Sequence, residues 1–164
     1  MNESQAPPLL AHDRPPGPGA ASPLRMIAGL ARAVAQARTD PQAIAEIAAR
    51  TLVQELADGC VVRLAARFQV RAFAHRDLAA EEFLRDALPS VPIGRLPAGD
   101  VLATGRPLLL ARVPPEYVDT LCPEARAYVR VFSLRSLLAV PVRCGAAVVG
   151  AITAWRDRAE DPFG

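Results

Sequence analysis

The side chains that could carry nucleophilic, acid–base or metal chemistry are few in this sequence and stand far apart. They are the thiols of Cys60, Cys122 and Cys144, the imidazoles of His12 and His75, and the carboxylates of Asp77, Glu81 and Glu82. Catalysis by such groups requires a nucleophile and a base, or two carboxyl groups, within hydrogen-bond reach of each other. No spacing motif joins these residues, and adjacent Glu81 and Glu82 point to different sides of a helix. The sequence therefore predicts no catalytic residues and no enzyme.

The cysteines also argue against a disulfide framework or a metal site. They are odd in number, widely spaced and include no C-x-x-C pair. Such usage is typical of reduced thiols in a reducing compartment. With only two histidines to add, a structural zinc site is not predicted. We expect Cys60 to pack as a small apolar residue and Cys144 to be exposed beside a turn.

Length and charge narrow the class of protein further. A chain of 164 residues suits one domain. The net charge is +2, with acidic residues mixed throughout, so no basic stripe predicts a nucleic-acid partner. No apolar run approaches the roughly 20 residues of a membrane span, and the N-terminus lacks the features of a secretory signal. We expect a cytoplasmic protein with no membrane or nucleic-acid partner.

The N-terminal segment differs in composition from the remainder. Residues 1–23 contain six prolines and two glycines, and they lack the apolar content that would offset the entropy lost on ordering. We predict that residues 1–23 are disordered and that residues 24–164 form a single domain. A Pro-rich ligand for an SH3-like partner is the alternative for the first segment.

Two amphipathic helices open the domain. Apolar residues recur at intervals of three and four over residues 24–38, and again over 41–57 after a cap at Thr39 or Asp40. Their Ala-rich faces permit close approach to the protein's own sheet or to a second copy of the chain. For the first helix we expect a homodimer interface formed by Leu24, Ile27, Leu30, Ala31 and Val34.

The middle of the chain alternates strands with short helices. Residues 60–65 and 68–75 predict two strands, and the second places Ala72 and Ala74 on one face and Phe73 and His75 on the other. A helix is predicted over 78–88, capped by Asp77 and with Leu78, Phe83, Leu84 and Leu88 on one stripe. A loop then runs to residue 100, and a helix over 100–104, stopped by Gly105, precedes a buried strand over 107–111. Two helical pieces between Pro114 and Phe132 are expected to meet near Cys122.

A strand hairpin closes the domain. Apolar runs at 137–142 and 147–155 flank a break at 143–146, which predicts two antiparallel strands and a tight turn. Because both faces of each run are apolar or small, we expect the hairpin to lie inside the sheet, with cover on both sides. Pro141 cannot donate to a ladder, so its N–H side should face a bulge or a gap.

The order of elements and five segments resemble a GAF domain of the kind found in bacterial sensor histidine kinases and related signalling proteins. The segments are ELADGCVVRL at 55–64, VRAFAH at 70–75, VLATGRPLLL at 101–110, PPEYVDTL at 114–121 and LRSLLAVPVRCGAAVVGAITAW at 134–155. The most specific parts are the T-G-R-P turn at 104–107 and L-R-S-x-L-x-V-P-V followed by G-A-I-T. The resemblance implies an α+β fold in α/β/α layers. A central antiparallel sheet of five to six strands would carry the terminal helices on one face and a ligand-pocket cover of loops and short helices on the other.

The resemblance also implies which residues line the pocket. By position these are Phe73, Phe83, Leu102, Tyr117, Leu121, Cys122, Tyr128 and Phe132. Packing in an ordinary core explains the same helical spacing, so that alternative remains open.

Several family features are missing from this sequence. The family usually continues beyond the P-F pair into a long helix, and we expect this chain to lack it. Either the chain is then a fragment of a longer protein, or a partner chain covers the first helix. Bilin-binding relatives have Cys followed by His, whereas Cys122 is followed by Pro123. The cysteines of the relatives that reduce free methionine sulfoxide are absent from residues 92–100.

The function implied is a non-catalytic, small-molecule-sensing or dimerising regulatory domain of a bacterial signal-transduction protein. Its output domain or partner protein would lie outside this chain. The alternatives are a tetrapyrrole (bilin or haem) photo- or redox sensor and a small thiol-dependent enzyme. Neither the ligand nor any cofactor is identified by the sequence.

Overall fold

The computed structural model describes residues 27–29, 31, 32, 35, 40–64, 69–157 and 163. Its elements are α1 Pro41–Glu55, β1 Gly59–Leu64, β2 Gln69–His75, α2 Leu78–Ala87, α3 Pro97–Thr104, β3 Leu108–Leu110, α4 Pro115–Thr120, α5 Pro123–Phe132, β4 Ser136–Cys144 and β5 Ala147–Arg156, with single 3₁₀ turns at Leu88–Ser90 and Ile93–Arg95. The predictions for residues 1–23, for Leu24, Leu30 and Val34, and for the turn at 66–67 lie outside the described residues.

The five strands form one antiparallel sheet in the order β2-β1-β5-β4-β3. Strand β5 is central and pairs with β4 along almost its whole length, from Ser136–Arg156 to Cys144–Ala147. The predicted hairpin therefore lies inside the sheet, as expected. Together with the helices, this sheet confirms the predicted α+β fold.

Pro141 lies where the ladder can tolerate a residue without an N–H. Strand β3 pairs with β4 only from Leu110–Leu137 to Leu108–Ala139, so Pro141 lies past the end of β3. The pairing of β4 with β5 also shifts just after Val142, which leaves Val149 as an extra residue in β5. Both the gap and the bulge that were predicted are present.

Helix α1 covers one face of the sheet. The side chain of Asp40 accepts the N–H of Gln42 at 2.9 Å and caps the helix. Ala45, Ala49 and Val53 pack in one buried cluster with Cys60, Val62, Ala72 and Ala74. Arg76 donates to the carbonyls of Val53 and Gln54 in the last turn of α1, which joins the helix end to β2. On this face of the hairpin, Leu138, Val140 and Ile152 are only half-buried in the described part of the chain, so the expected cover is partial there.

The opposite face of the sheet carries α2, α3 and α5. Helix α3 packs through Ala98 and Val101 on Ala139 and Ala151 of the hairpin. Farther along the same face, Ala80 and Leu84 of α2 and Tyr128 of α5 cluster with Val61 and Trp155. Two layers of helix therefore enclose the sheet, and the helices between β2 and β4 form the cover of the second face.

Three local predictions were wrong. Leu78 is 78% exposed, because it is the first residue of α2 and lies outside the stripe that faces the sheet. Helix α3 begins at Pro97 and not at Asp100, since Pro is well suited to the first helical position. The strand at 108–110 is an edge strand with Leu109 51% exposed, and therefore not buried.

Other boundaries agree closely. Gly105 ends α3 with a φ of 66°, and Asp77 caps α2 by accepting the N–H groups of Ala79 and Ala80. Cys122 lies at the joint between α4 and α5. Across the described ranges, none of the helices combines the length and the apolar character that crossing a bilayer requires.

Candidate functional site

An internal cavity of about 110 Å³ lies between the sheet and its helical cover. Its floor is formed by alternate residues of the three inner strands, which the antiparallel register brings together. Its walls come from α2, the segment 88–98 and α5. The lining residues are Val61, Arg63, Phe83, Leu84, Ala87, Leu88, Val91, Leu96, Pro97, Ala98, Leu121, Glu124, Ala125, Tyr128, Val129, Leu134, Leu137, Thr153 and Trp155. An apolar cavity of about 150 Å³ can hold benzene, so this one has room for a small organic molecule.

The helical side of the cavity is less deeply buried than its floor. Phe83 and Ala87 on α2, and Glu124 and Ala125 on α5, line the cavity and are only half-buried. The strand residues of the floor, by contrast, are mostly buried.

Arg63 lies on the floor of this apolar cavity without presenting its buried Nη2 to it. It follows Val61 on the cavity face of β1 and is only 5% exposed. Its Nη2 is buried and has no hydrogen-bond partner in the described part of the chain. Burial lowers the pKa of the guanidinium, and the nearby Cys122 thiol acts in the opposite direction. Because arginine starts from so high a pKa, the group remains charged.

Glu124 also lines the cavity, again without presenting its buried Oε2 to it. It is the second residue of α5, where a negative charge interacts favourably with the helix N-terminus. Its Oε2 is also buried and unpartnered among the described residues. Arg63 and Glu124 are not joined by any of the ion pairs found in this part of the chain. The surface of the cavity is therefore almost wholly apolar, and these two charged atoms are buried behind it.

A second polar cluster lies beside the cavity and fixes α5 on the sheet. The Tyr128 hydroxyl donates to Asp157 Oδ2 at 2.8 Å and accepts from Trp155 Nε1 at 2.9 Å. Nε2 of His75 lies 2.9 Å from both Asp157 Oδ2 and the Tyr128 oxygen. Burial, followed by the charge of Asp157, raises the pKa of Tyr128, so its hydroxyl keeps its proton. These four side chains connect β2, α5 and the end of β5.

The tautomer of His75 follows from its backbone contact. The N–H of Asp77 donates to Nδ1 at 2.9 Å, so Nδ1 is the acceptor and the ring proton lies on Nε2. Nε2 then donates to Asp157 Oδ2. Asp157 is held in place in turn, because its backbone N–H donates to Asp58 Oδ2 at 3.0 Å. His75 is only 8% exposed, and its partner Asp157 lies 82 residues away in sequence, so no local pattern indicated this burial. The cluster is a structural link and presents no free base to the cavity.

The structure distributes the eight residues proposed for the pocket over several places. Phe83, Leu121 and Tyr128 line the cavity. Phe73 packs against the buried cluster that contains Tyr128 and Trp155. Phe132 contacts Phe83 and also lines a separate polar hollow with Asp58 and Asp157. Leu102, on α3, packs against the buried cluster that joins α3 to the hairpin, while Tyr117 and Cys122 are not among the cavity residues.

The thiols are also placed away from the cavity. Cys60 and Cys122 are buried and Cys144 is exposed, and all three are free. Burial raises the pKa of the Cys60 thiol to about 12, which makes it unreactive. In the part of the chain that the structure describes, no group of His, Cys, Asp and Glu is arranged to hold a metal ion.

Sequence reasoning missed Arg63 and Glu124 as site residues. The available signal was weak: Arg63 interrupts the apolar run CVVRL at a position that shares a face with Val61. A charged residue at an inward strand position usually has a partner or a ligand. Glu124 offered no signal, since an acidic residue in the first turn of a helix is ordinary.

A family model for the GAF domain matches residues 40–164. Domains of this family generally act as regulatory, ligand-binding modules. No curated protein sequence matches the chain.

Solved GAF-domain structures share the fold. The GAF domain of a phosphoenolpyruvate-protein phosphotransferase from Coxiella burnetii is 14% identical, with a TM-score of 0.63 over 88% of this chain and 84% of that one. The GAF domain of A. aeolicus nlh2 in an inactive state is 14% identical, with a TM-score of 0.57 over 86% and 82%. Free methionine-R-sulfoxide reductase from Neisseria meningitidis, in complex with its substrate, is 18% identical, with a TM-score of 0.56 over 81% and 74%. At these identities the likeness concerns the fold alone, whereas the family model spans most of the sequence. This chain therefore belongs to the GAF domain family.

Proposed function

We propose that this protein is the sensory part of a signal-transduction system and that a small molecule binds in the cavity between the sheet and the α2–α5 cover. The observation that carries the proposal is the cavity itself, which lies between the sheet and its helical cover and is lined almost wholly by apolar surface. Concave, mostly apolar sites with a few polar groups are typical of small-molecule binding. Binding would hold α2 and α5 together and pass the signal to an output domain or partner protein outside this chain.

A ligand screen by thermal unfolding and native mass spectrometry tests this proposal. A ligand at a hundred times its Kd raises the free energy of unfolding by about 2.7 kcal/mol. Ala98→Leu, which extends a buried lining residue into the cavity, should abolish that gain. Ala147→Leu, at an exposed position of the hairpin, is the matched control and should retain it. A protein that binds nothing, or an A98L variant that binds as well as wild type, would contradict the proposal.

The proposal includes the absence of a catalytic or pigment-binding role. Among the described residues that line the cavity there is neither a cysteine nor a histidine, so a thiol-dependent reaction or a thioether-linked bilin has no group to use. A tetrapyrrole is also far larger than the benzene that about 150 Å³ accommodates. A visible absorbance band after expression with bilin or haem would overturn this part of the proposal.

We also propose that the helix before α1 forms a homodimer through the residues named above. Within this predicted interface, Ile27 is helical and 58% exposed and Ala31 is exposed. An exposed apolar helix face is a common interaction surface. Sedimentation should show a dimer that Ile27→Glu dissociates. Leu78→Glu, at a still more exposed apolar residue of α2, should leave it intact. A wild-type monomer at high micromolar concentration would refute the dimer.

A further inference from the structure

We infer that the ligand of the cavity is a small, uncharged and apolar molecule, no larger than a single six-membered ring. This inference rests on the proposed function and specifies the chemistry of that site. It is carried by the surface of the cavity, which is almost wholly apolar although several of the residues around it have polar or charged side chains.

The first step concerns the polar atoms around the cavity. The Tyr128 hydroxyl already bonds with Trp155 Nε1 and Asp157 Oδ2, so neither ring offers a free polar group. Arg63 Nη2 and Glu124 Oε2 are buried behind the cavity wall. A ligand with a charge or a hydrogen-bonding group would give up its water and gain almost no polar contact with the wall, which is unfavourable. The cavity therefore selects against polar molecules.

The second step explains why an apolar molecule should be held. Water is a poor occupant, because a buried water needs about three hydrogen-bond partners and this wall presents almost no polar surface. Side chains around a space that suits no water lack dispersion contacts on that side. An apolar molecule of matching size restores those contacts and removes its own surface from water, so both effects favour binding.

The third step concerns size and shape. The volume of about 110 Å³ is somewhat smaller than the roughly 150 Å³ of an apolar cavity that holds benzene, so one ring is the upper limit. Three aromatic rings line the space: Phe83, Tyr128 and Trp155. Phe83 and Tyr128 meet at 64° with centroids 6.0 Å apart, and Tyr128 and Trp155 meet at 86° with centroids 5.7 Å apart. Because such edge-to-face packing accepts a further ring, benzene is the matching probe.

Benzene and pyridine test this inference, since the two rings have nearly the same size and differ in one hydrogen-bond acceptor. Binding to the whole chain is measured by calorimetry and thermal unfolding, at a pH at which pyridine is uncharged. We expect benzene to bind at least about tenfold tighter than pyridine, because the ring nitrogen loses its hydrogen bond to water. Naphthalene, with two fused rings, should not bind.

Val61 and Val62 provide a matched pair of variants on β1. Both are buried, but Val61 lines the cavity whereas Val62 packs with α1 on the opposite face of the sheet. Val61→Thr places a hydroxyl in the cavity wall and should weaken benzene about fivefold. Val62→Thr makes the same change away from the cavity and should leave the affinity for benzene unchanged. Equal weakening by both variants, or an A98L protein that binds benzene as well as wild type, would place the ring elsewhere and overturn the inference.

The remaining outcomes distinguish the ligand class from the proposed function. If pyridine binds as tightly as benzene, the apolar class is refuted while the cavity remains a binding site. Naphthalene that binds as tightly as benzene would refute the limit on size. If no ring binds but the broader screen finds another ligand that A98L abolishes, the inference fails and the sensory function stands. If no compound binds at all, both proposals fail.

Discussion

Replacing Tyr128 by Phe tests whether the polar cluster beside the cavity holds α5 on the sheet. The substitution keeps the ring, which packs against Phe83, Phe132 and Trp155. It removes only the hydroxyl, which links Trp155 Nε1 to Asp157 Oδ2. The change is therefore a deletion of two hydrogen bonds with little change in volume.

The magnitude follows from what is left unpaired. The bond to the Asp157 carboxylate is charge-assisted and buried, and such bonds contribute about 1.5–3 kcal/mol. Trp155 Nε1–H is left without its acceptor, at a cost of about 1–3 kcal/mol. Part of this is offset because the hydroxyl no longer has to be removed from water. We expect a net loss of about 3 kcal/mol in the free energy of unfolding, or about 12 °C in Tm for a domain of this size at roughly 4 °C per kcal/mol.

The assay is reversible denaturation by urea with tryptophan fluorescence, since Trp155 is the only tryptophan and lies in the cluster. Tyr117→Phe is the matched control. Tyr117 is the only other tyrosine, is half-buried, and its hydroxyl makes no hydrogen bond to the described part of the chain. Y117F should change the free energy of unfolding by less than about 0.5 kcal/mol. If Y128F were as stable as Y117F, the cluster would not secure α5 and the reasoning would be refuted.

Three further predictions concern the sheet and the thiols. Gly59→Ala should destabilise the protein by about 1–3 kcal/mol in a urea titration, because a Cβ there would overlap the Trp155 ring and lie 2.6 Å from His75 Cδ2. The control Gly94→Ala, which has open space around it, should be near neutral. Equal effects of the two substitutions would contradict this packing. The free energy of unfolding should fall as pH rises from about 9 towards 12, because burial raises the pKa of Cys60 to about 12 only in the folded state and the unfolded chain releases its proton first. Cys60→Ala should make that decline shallower by about 1.4 kcal/mol per pH unit and leave the slope below pH 8 unchanged; an unchanged slope above pH 9 would show that the thiol is not buried. In the native protein, a disulfide reagent at neutral pH should modify only the exposed thiol of Cys144, and after unfolding it should modify all three thiols. Rapid modification of two or three thiols in the native protein would disprove the burial of Cys60 and Cys122.

The sequence alone determined those features that depend on neighbours along the chain. The apolar runs around residues 143–146 identified the hairpin, Asp77 marked the start of α2, and Thr39 or Asp40 marked the start of α1, where the structure has Asp40 as the cap. Alternation along residues 72–75 assigned Ala72 and Ala74 to one face of β2 and Phe73 to the other. These signals are readable because strand and helix periodicity act over a few residues.

Only the tertiary structure decided which distant side chains meet. The sheet order places β1 beside β5, and the cover places the start of α5 over that floor, so Arg63 and Glu124 both lie at one cavity although they are 61 residues apart in sequence. In the same way the structure brings Asp157 to His75 and Tyr128, which made a residue of the polar tail part of a buried cluster. The physical reason is that local pattern specifies which face a residue occupies, whereas register and packing between elements specify what lies opposite it.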